Sequence, residues 1–221
     1  MAEWSRRSLE GLRQPLESGL VGIARAEAHC EFPARFQLVA AMNPCPCGWA
    51  NDPSGRCRCS EELVQRYRAR LSGPLLDRID LQIQVPRMSP SELRGDAPRG
   101  ESTAVVRARV LAARERQLAR AGKTNTALSQ AETERDCRLR SREQAMLEKA
   151  MATMMLSARS TQRILRVART IADLAGEAQI GREQLNEAIG YRQLDRDSPV
   201  PAPSPVRAVL KKGSVEANRR A

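Results

Sequence analysis

Two closely spaced cysteine pairs constrain this 221-residue chain more than any other feature. Cys45 and Cys47 form one Cys-x-Cys pair, Cys57 and Cys59 form another, and nine residues separate the pairs. Four thiolates that converge from two turns suit tetrahedral zinc, and glycine and proline residues between the pairs help the chain fold back. The pattern therefore predicts a zinc loop over residues 43–60. Four protein ligands leave no open position, so the predicted zinc is structural.

Other states of this loop fit the same pattern. The thiols can stay free, or they can form labile disulfides, although closely spaced cysteines in a reducing compartment are more often metal ligands. Cys-x-x-Cys is the commoner spacing in zinc knuckles, so Cys30 or His29 is an alternative ligand. Metal analysis with thiol titration before and after a chelator separates these states.

The residues before the cysteine loop predict a helix, a hairpin and a buried strand. Leu9, Leu12 and Leu16 recur at helical spacing, and a glycine follows to end the helix. Two short extended pieces around 26–28 are typical of a hairpin. The continuous apolar run at 36–42 predicts a strand that is buried on both faces.

After the cysteine loop the pattern is again mixed. Ser60 is a predicted N-cap with acidic residues in the first turn of its helix, where the helix dipole favours them. Gly73 and Pro74 interrupt that helix, and residues 78–85 alternate between apolar and polar as a strand does. The first part of the chain, residues 1–86, is therefore predicted to be α/β.

The second part of the chain is predicted to be entirely helical. A stretch rich in Pro, Gly and Ser at 87–101 is typical of a linker. Helical periodicity and capping residues then predict a domain over 102–192 with helices at 102–121, 141–156, 160–174 and 182–189. Residues 193–221 alternate proline with small residues and turn basic, which predicts a disordered tail.

Charge favours a polyanionic partner. The formal net charge is +11 and the pI is about 10.2, so nucleic acid is the first partner to test. The sequence contains neither a basic-then-apolar leader nor an apolar run near the roughly 18 residues of a membrane span. We therefore expect a cytoplasmic protein that does not enter a membrane.

Several stretches together resemble one family, the magnesium-chelatase-like AAA+ ATPases of the YifB/ComM group. The stretches are "LRQPLESG", "FPARFQLVAAMNPCPCG", "CRC", "RYRARLSGPLLDRIDL" and, in the helical part, "LSARSTQRILRVARTIADLAG". The resemblance covers roughly residues 3–192. It implies the C-terminal part of an AAA+ core, with parallel-sheet strands and a hairpin, followed by an all-α lid, so that the chain is mostly helical.

The resemblance also implies an activity and its requirements. The family's complete proteins are expected to be hexameric ATP-driven motors that move DNA branches in natural transformation, with ATP and Mg²⁺ as cofactors. The chain has no G-x-x-x-x-G-K-[ST] loop and no apolar strand that ends in Asp-Glu. We therefore expect it to be the C-terminal portion of such a protein, inactive toward ATP unless a separately encoded N-terminal half complements it.

Five residues match functional positions of the family. Asn43 matches sensor 1, which orients the attacking water, although an Asn that ends a strand also caps turns well. Arg78 matches the arginine finger, which acts on a neighbouring subunit's nucleotide, and Asp77 is expected to support it. Arg159 matches sensor 2 above the nucleotide. Arg25 lies in the hairpin that the resemblance directs at DNA, where contact would be with the backbone and sequence-independent.

Other functions fit the same residues. A non-catalytic module or remnant that binds DNA or a partner needs only the charge and the fold. A subunit of a split ATPase would supply Asn43, Arg78 and Arg159 to another polypeptide. A metal chelatase subunit is a minor alternative, because the cysteine loop and the "LRQPLESG" stretch match the competence-type branch.

Overall fold

The protein is mostly helical, with one small antiparallel sheet in the part that the structure describes. The structure is a computed structural model, and it describes residues 1–25, 28–50, 52–88, 93–94 and 100–192. A hairpin and short helices make up the first part, and longer helices make up the second. The predicted class of a mostly helical α/β chain with an all-α C-terminal part is confirmed.

The expected N-terminal helix is two short helices. Helix α1 spans Arg6–Gly11 and α2 spans Arg13–Ser18, with Leu12 between them. Ser5 caps α1, because its side chain accepts from the Ser8 backbone N–H. Gly19 ends α2 in the left-handed region at φ 70°, as the sequence predicts.

The predicted hairpin is confirmed. Strand β1 spans Leu20–Arg25 and β2 spans Ala28–Pro33, and they pair antiparallel from Leu20↔Pro33 to Arg25↔Ala28. The side chain of Arg25, the predicted DNA contact, lies outside the described residues, and so do the loop residues 26–27.

The two apolar runs predicted as strands are not part of a sheet among the described residues. Residues 36–42 form no ladder, and in 78–85 only Gln82 makes a bridge, a parallel one to Arg192. A strand requires a hydrogen-bonding neighbour, and the described chain places none beside 36–42. Their side chains accordingly reach solvent, with Val39 85% and Val85 87% exposed.

Helix α3 spans Glu61–Arg68 and α4 spans Gly73–Leu76. Ser60 caps α3 as predicted, because its side chain accepts from the Leu63 backbone N–H. The short helix α4 brings Leu75 against Leu9 and Leu71, and these three form the buried core of the first part. Packing of α4 on α1 therefore fixes the turn that carries Asp77 and Arg78.

The helical domain contains five α-helices among its described residues. They are α5 (Thr103–Ala121), α6 (Gln130–Asp136), α7 (Ser141–Met154), α8 (Ala158–Ala175) and α9 (Arg182–Gly190). Helix α8 is central, since α5, α6 and α9 all contact it. Its Ile164, Ala168 and Ala172 belong to one buried core cluster with residues of α7 and α9.

Two elements of this domain were not predicted, α6 and a 3₁₀ turn at Asn125–Ala127. The sequence of α6 is polar and lacks an apolar stripe, so periodicity could not find it. The capping box of α6 could have predicted this helix, because Ser129 and Glu132 have the required spacing and both reciprocal hydrogen bonds form.

None of the described helices is long and apolar enough to span a membrane.

Candidate functional site

Arg78 is more deeply buried than Asn43, Asp77 and Arg159. It follows α4, and its side chain is 8% exposed. Nη1 donates to the Pro74 carbonyl at 2.5 Å, and Nη2 donates to Oε2 of Glu17 in α2. Nε is buried and has no hydrogen-bond partner in the described part of the chain. The guanidinium is therefore held by one carboxylate and one carbonyl.

Arg159 reaches the same carboxylate from the helical domain. It lies in the first turn of α8, and its Nη2 donates to Oε1 of Glu17. Residues 17 and 159 are 142 positions apart, so this ion pair links the two parts of the chain. The hydrogen bond from Arg78, followed by the charges of both arginines, lowers the pKa of Glu17. Two predicted arginines thus meet at one acid.

Asp77 contacts the helical domain. Its carboxylate accepts from Ser160 Oγ at 2.6 Å and from Ser157 Oγ at 3.1 Å. Ser157 is the N-cap of α8, so Asp77 lies at the positive end of that helix, where a carboxylate is stabilised. Its support of the neighbouring Arg78 side chain is not seen directly and stays a prediction.

Buried Arg192 completes this junction. Its guanidinium donates to the Ile79 carbonyl at 2.5 Å and to Ser160 Oγ at 3.0 Å, and it is 1% exposed. Beside it, the Gln82 backbone N–H donates to the Tyr191 carbonyl at 2.8 Å. The end of α9 is therefore fixed to the segment that follows α4.

Asn43, the predicted sensor 1 residue, is exposed and lies between the apolar run 36–42 and Pro44. No hydrogen bond joins it to Arg78 or Arg159 in the residues that the structure describes. The structure thus brings together the two arginines but not the amide, and the role of each stays a prediction.

The four cysteines of the loop converge, as their spacing predicts. All four sulfur atoms lie within 4.8 Å of one another. The Sγ–Sγ distances are 3.3 Å for Cys45–Cys47, 3.8 Å for Cys45–Cys57 and 3.7 Å for Cys47–Cys57. Tetrahedral zinc with Zn–S bonds near 2.3 Å would separate its sulfurs by about 3.8 Å, so the donor set fits zinc. Cys30 is exposed on β2 and is not part of the cluster.

Hydrogen bonds and burial shift the pKa values of these cysteines in opposite directions. Backbone hydrogen bonds from Arg58 and Trp49 lower the pKa of Cys47 to about 6. The pKa of Cys59 is raised to about 11. A hydrogen bond from the Cys47 backbone lowers this pKa, but the Cys47 side chain and burial raise it by more. Four thiolates cannot coexist at this spacing without positive charge, which a metal ion supplies.

Trp49 packs the loop against basic side chains, a contact that the sequence did not reveal. The guanidinium of Arg87 lies 4.4 Å from the ring centroid and that of Arg56 lies 5.0 Å from it. Arg87 also pairs with Asp52 at 3.5 Å. These cation–π contacts join the cysteine loop to the segment after residue 85.

Glu17, Ser160 and Arg192 were missed as parts of the site. Glu17 lies inside the "LRQPLESG" stretch that resembles the family, so this stretch could have indicated it. No sequence pattern indicates that Arg192, at the end of a helix, is buried.

Comparison with known proteins identifies the family of the chain. The family model "Magnesium chelatase, subunit ChlI" matches residues 1–93, and "Magnesium chelatase, subunit ChlI C-terminal" matches residues 100–192. Among curated proteins, the "Competence protein ComM" of Haemophilus influenzae is 50% identical over 196 residues, which cover 89% of this chain. The "Uncharacterized protein YifB" of Escherichia coli is 45% identical over the same length and share.

The aligned part amounts to 38% of the length of each of these two relatives. The chain belongs to the magnesium-chelatase-like ChlI family, in the group that includes ComM and YifB.

Proposed function

We propose that this chain supplies the sensor and arginine-finger residues of an ATP-driven motor that moves DNA branches. The observation that carries the proposal is the meeting of Arg78 and Arg159 at one carboxylate. Guanidinium groups from two separate elements that converge on one anion are suited to a phosphate. The complete assembly would be a hexameric ring with Mg²⁺-bound ATP in the cytoplasm.

Each residue has a defined part in this proposal. Arg78 would stabilise the charge that develops on the γ-phosphate of a neighbouring subunit's nucleotide. Arg159 would lie above the bound nucleotide, and its position in the first turn of α8 would couple ATP binding to movement of the helical domain. Asn43 would orient the attacking water. The cysteine loop would hold structural zinc.

DNA is the proposed polymer that the motor binds and moves. A net charge of +11 attracts phosphates, and Arg25 is the last residue of β1 in the hairpin. Contacts of this kind bind the backbone and do not select a sequence. The name of the Haemophilus relative, a competence protein, supports a role in the handling of DNA.

A complementation experiment tests the proposal. Alone, a polypeptide of these 221 residues should not hydrolyse ATP, because it contains no phosphate-binding loop. Mixed with the remaining part of the Haemophilus relative, it should give ATP hydrolysis that DNA stimulates.

The substitution Arg78→Ala should reduce this rate by about 10³-fold or more, as loss of an arginine finger does. Arg109→Ala is the matched control, because Arg109 pairs with Glu101 on the surface of the helical domain. No hydrolysis on mixing, or equal effects of the two substitutions, would contradict the motor.

A non-catalytic binding module is the second candidate. The exposed apolar side chains at 36–42 and 81–85 favour it, because a partner protein could cover them. This function predicts that mixing yields a complex that binds DNA without any gain in hydrolysis.

A further inference from the structure

We propose that Glu17 occupies an oxyanion site formed by Arg78 and Arg159, so that its carboxylate stands in for a terminal phosphate. This inference rests on the proposed nucleotide role of the two arginines. It adds a regulatory element, because neither arginine is available to a phosphate until Glu17 leaves.

The first support is the way in which the carboxylate is shared. Each oxygen of Glu17 accepts from a different guanidinium, Oε1 from Arg159 and Oε2 from Arg78. A carboxylate that bridges two arginines has the charge and the acceptor geometry that a phosphate edge offers to the same donors.

The second support is unused donor capacity. The Arg78 side chain is more than nine-tenths buried, yet its Nε has no partner among the described residues, and its Nη1 is met only by a carbonyl. Buried charged donors are normally satisfied. A phosphate has more acceptor oxygens than a carboxylate, so it can fill a position that Glu17 leaves open.

The third support is that the bond can be exchanged. Glu17 is 40% and Arg159 is 49% exposed, and ion pairs this accessible to water are weak. An open cleft leads to the site between Glu10, Arg13, Gln14 and Ser18. A phosphate can therefore enter from solvent and displace the carboxylate without unfolding the core.

The experiment measures inorganic triphosphate binding to the full 221-residue chain by isothermal titration calorimetry. Glu17→Gln should lower the dissociation constant by about fivefold or more, since a competing charge within about 4 Å is removed. Adding Arg159→Gln to Glu17→Gln should abolish the gain. Glu10→Gln is the matched control, because it removes the same charge from the same cleft but contacts Arg13.

The outcomes separate this inference from the proposed function. Equal binding by the unaltered chain and Glu17→Gln, or an equal gain from Glu10→Gln, overturns the stand-in role alone. No triphosphate binding by any folded variant overturns the stand-in role, whereas the proposed function fails only if mixing with the remaining part of the Haemophilus relative gives no ATP hydrolysis.

Circular dichroism checks that each variant folds. If Glu17→Gln does not fold, Glu17→Asp keeps the charge but shortens its reach, and tighter triphosphate binding is again expected. Unchanged or weaker binding by the aspartate variant overturns the inference.

Discussion

Cys45 is the residue on which the cysteine cluster depends most directly. It is fully buried, and its sulfur lies against those of Cys47 and Cys57. The purified protein should contain about one equivalent of zinc, because four thiolates close a structural site. Cys45→Ser should lower this to less than about half an equivalent by elemental analysis, since serine is a poor ligand for zinc.

Cys30→Ser is the matched control, because Cys30 is a free thiol on β2, outside the cluster. It should leave the zinc content unchanged and remove one titratable thiol. Less than half an equivalent in unaltered protein that was produced with zinc supplied would contradict the zinc site.

The site residues that could be predicted from the sequence have partners nearby in the sequence, whereas the residues that were missed have distant ones. The cysteines could be predicted because all four ligands lie within one loop, so spacing alone describes their geometry. The partners of Glu17 lie 61 and 142 residues away, and those of Arg192 lie 113 residues away at Ile79 and 32 away at Ser160. Such contacts depend on the packing of whole helices, which a local pattern does not encode.

Helix α8 carries a buried charge cluster that its stability requires. Asp173 is 1% exposed and accepts from both terminal nitrogens of Arg120, at 2.7 and 2.8 Å, and from Asn125 at 2.9 Å. Asp173→Ala should lower the free energy of unfolding by about 3–5 kcal/mol in urea titrations, because the charge of buried Arg169 and that of Arg120 lose their partner.

Glu101→Ala is the control, since Glu101 and Arg109 form an exposed, solvent-screened pair whose loss should leave the free energy of unfolding nearly unchanged. The pH dependence has a definite sign. Burial alone would raise the pKa of Asp173, but the hydrogen bonds from Arg120 and Asn125 lower it. The stabilisation is therefore present above the ordinary pKa of 3.8 and lost as pH falls below it. Equal losses from the two substitutions would contradict the cluster's role.

Helix ends were more predictable than strands because they depend on local chemistry. Ser60 caps its helix as the sequence predicts, the helix predicted from residue 102 has Ser102 as its N-cap, and Gly176 ends α8 at φ 78°. The start of α8 differs slightly, with Ser157 as the N-cap instead of a beginning at Ser160. The runs 36–42 and 78–85 have strand composition, yet composition does not supply the neighbouring strand that pairing requires.

At the scale of the molecule, the two parts of the chain are joined by polar contacts more than by apolar packing. The core of the first part and the core of the helical domain are separate clusters. Between them lie the contacts of Glu17, Asp77 and Arg192, together with the pair of Arg163 and Asp80 at 2.6 Å. A junction of this kind can rearrange without exposing a core, which suits a nucleotide-driven movement.

The net charge predicts how the molecule should bind DNA. Affinity should fall linearly with salt on a logarithmic plot, because bound phosphates release their counterions. Fluorescence anisotropy between about 50 and 200 mM salt should give the same slope for unrelated DNA sequences. Arg25→Ala should weaken binding to all of them and reduce the slope by about one phosphate contact, if the hairpin presents Arg25 to the backbone.

Arg109→Ala is the control for this measurement because it removes the same charge from a site where Glu101 already neutralises it. It should leave the slope nearly unchanged, whereas nonspecific attraction by net charge alone predicts equal effects from both substitutions. Equal effects would therefore indicate that the net charge of the whole protein binds DNA, and would contradict a DNA contact by the hairpin. A difference confined to Arg25→Ala would place the DNA at the end of β1, on the part of the chain that also carries Glu17.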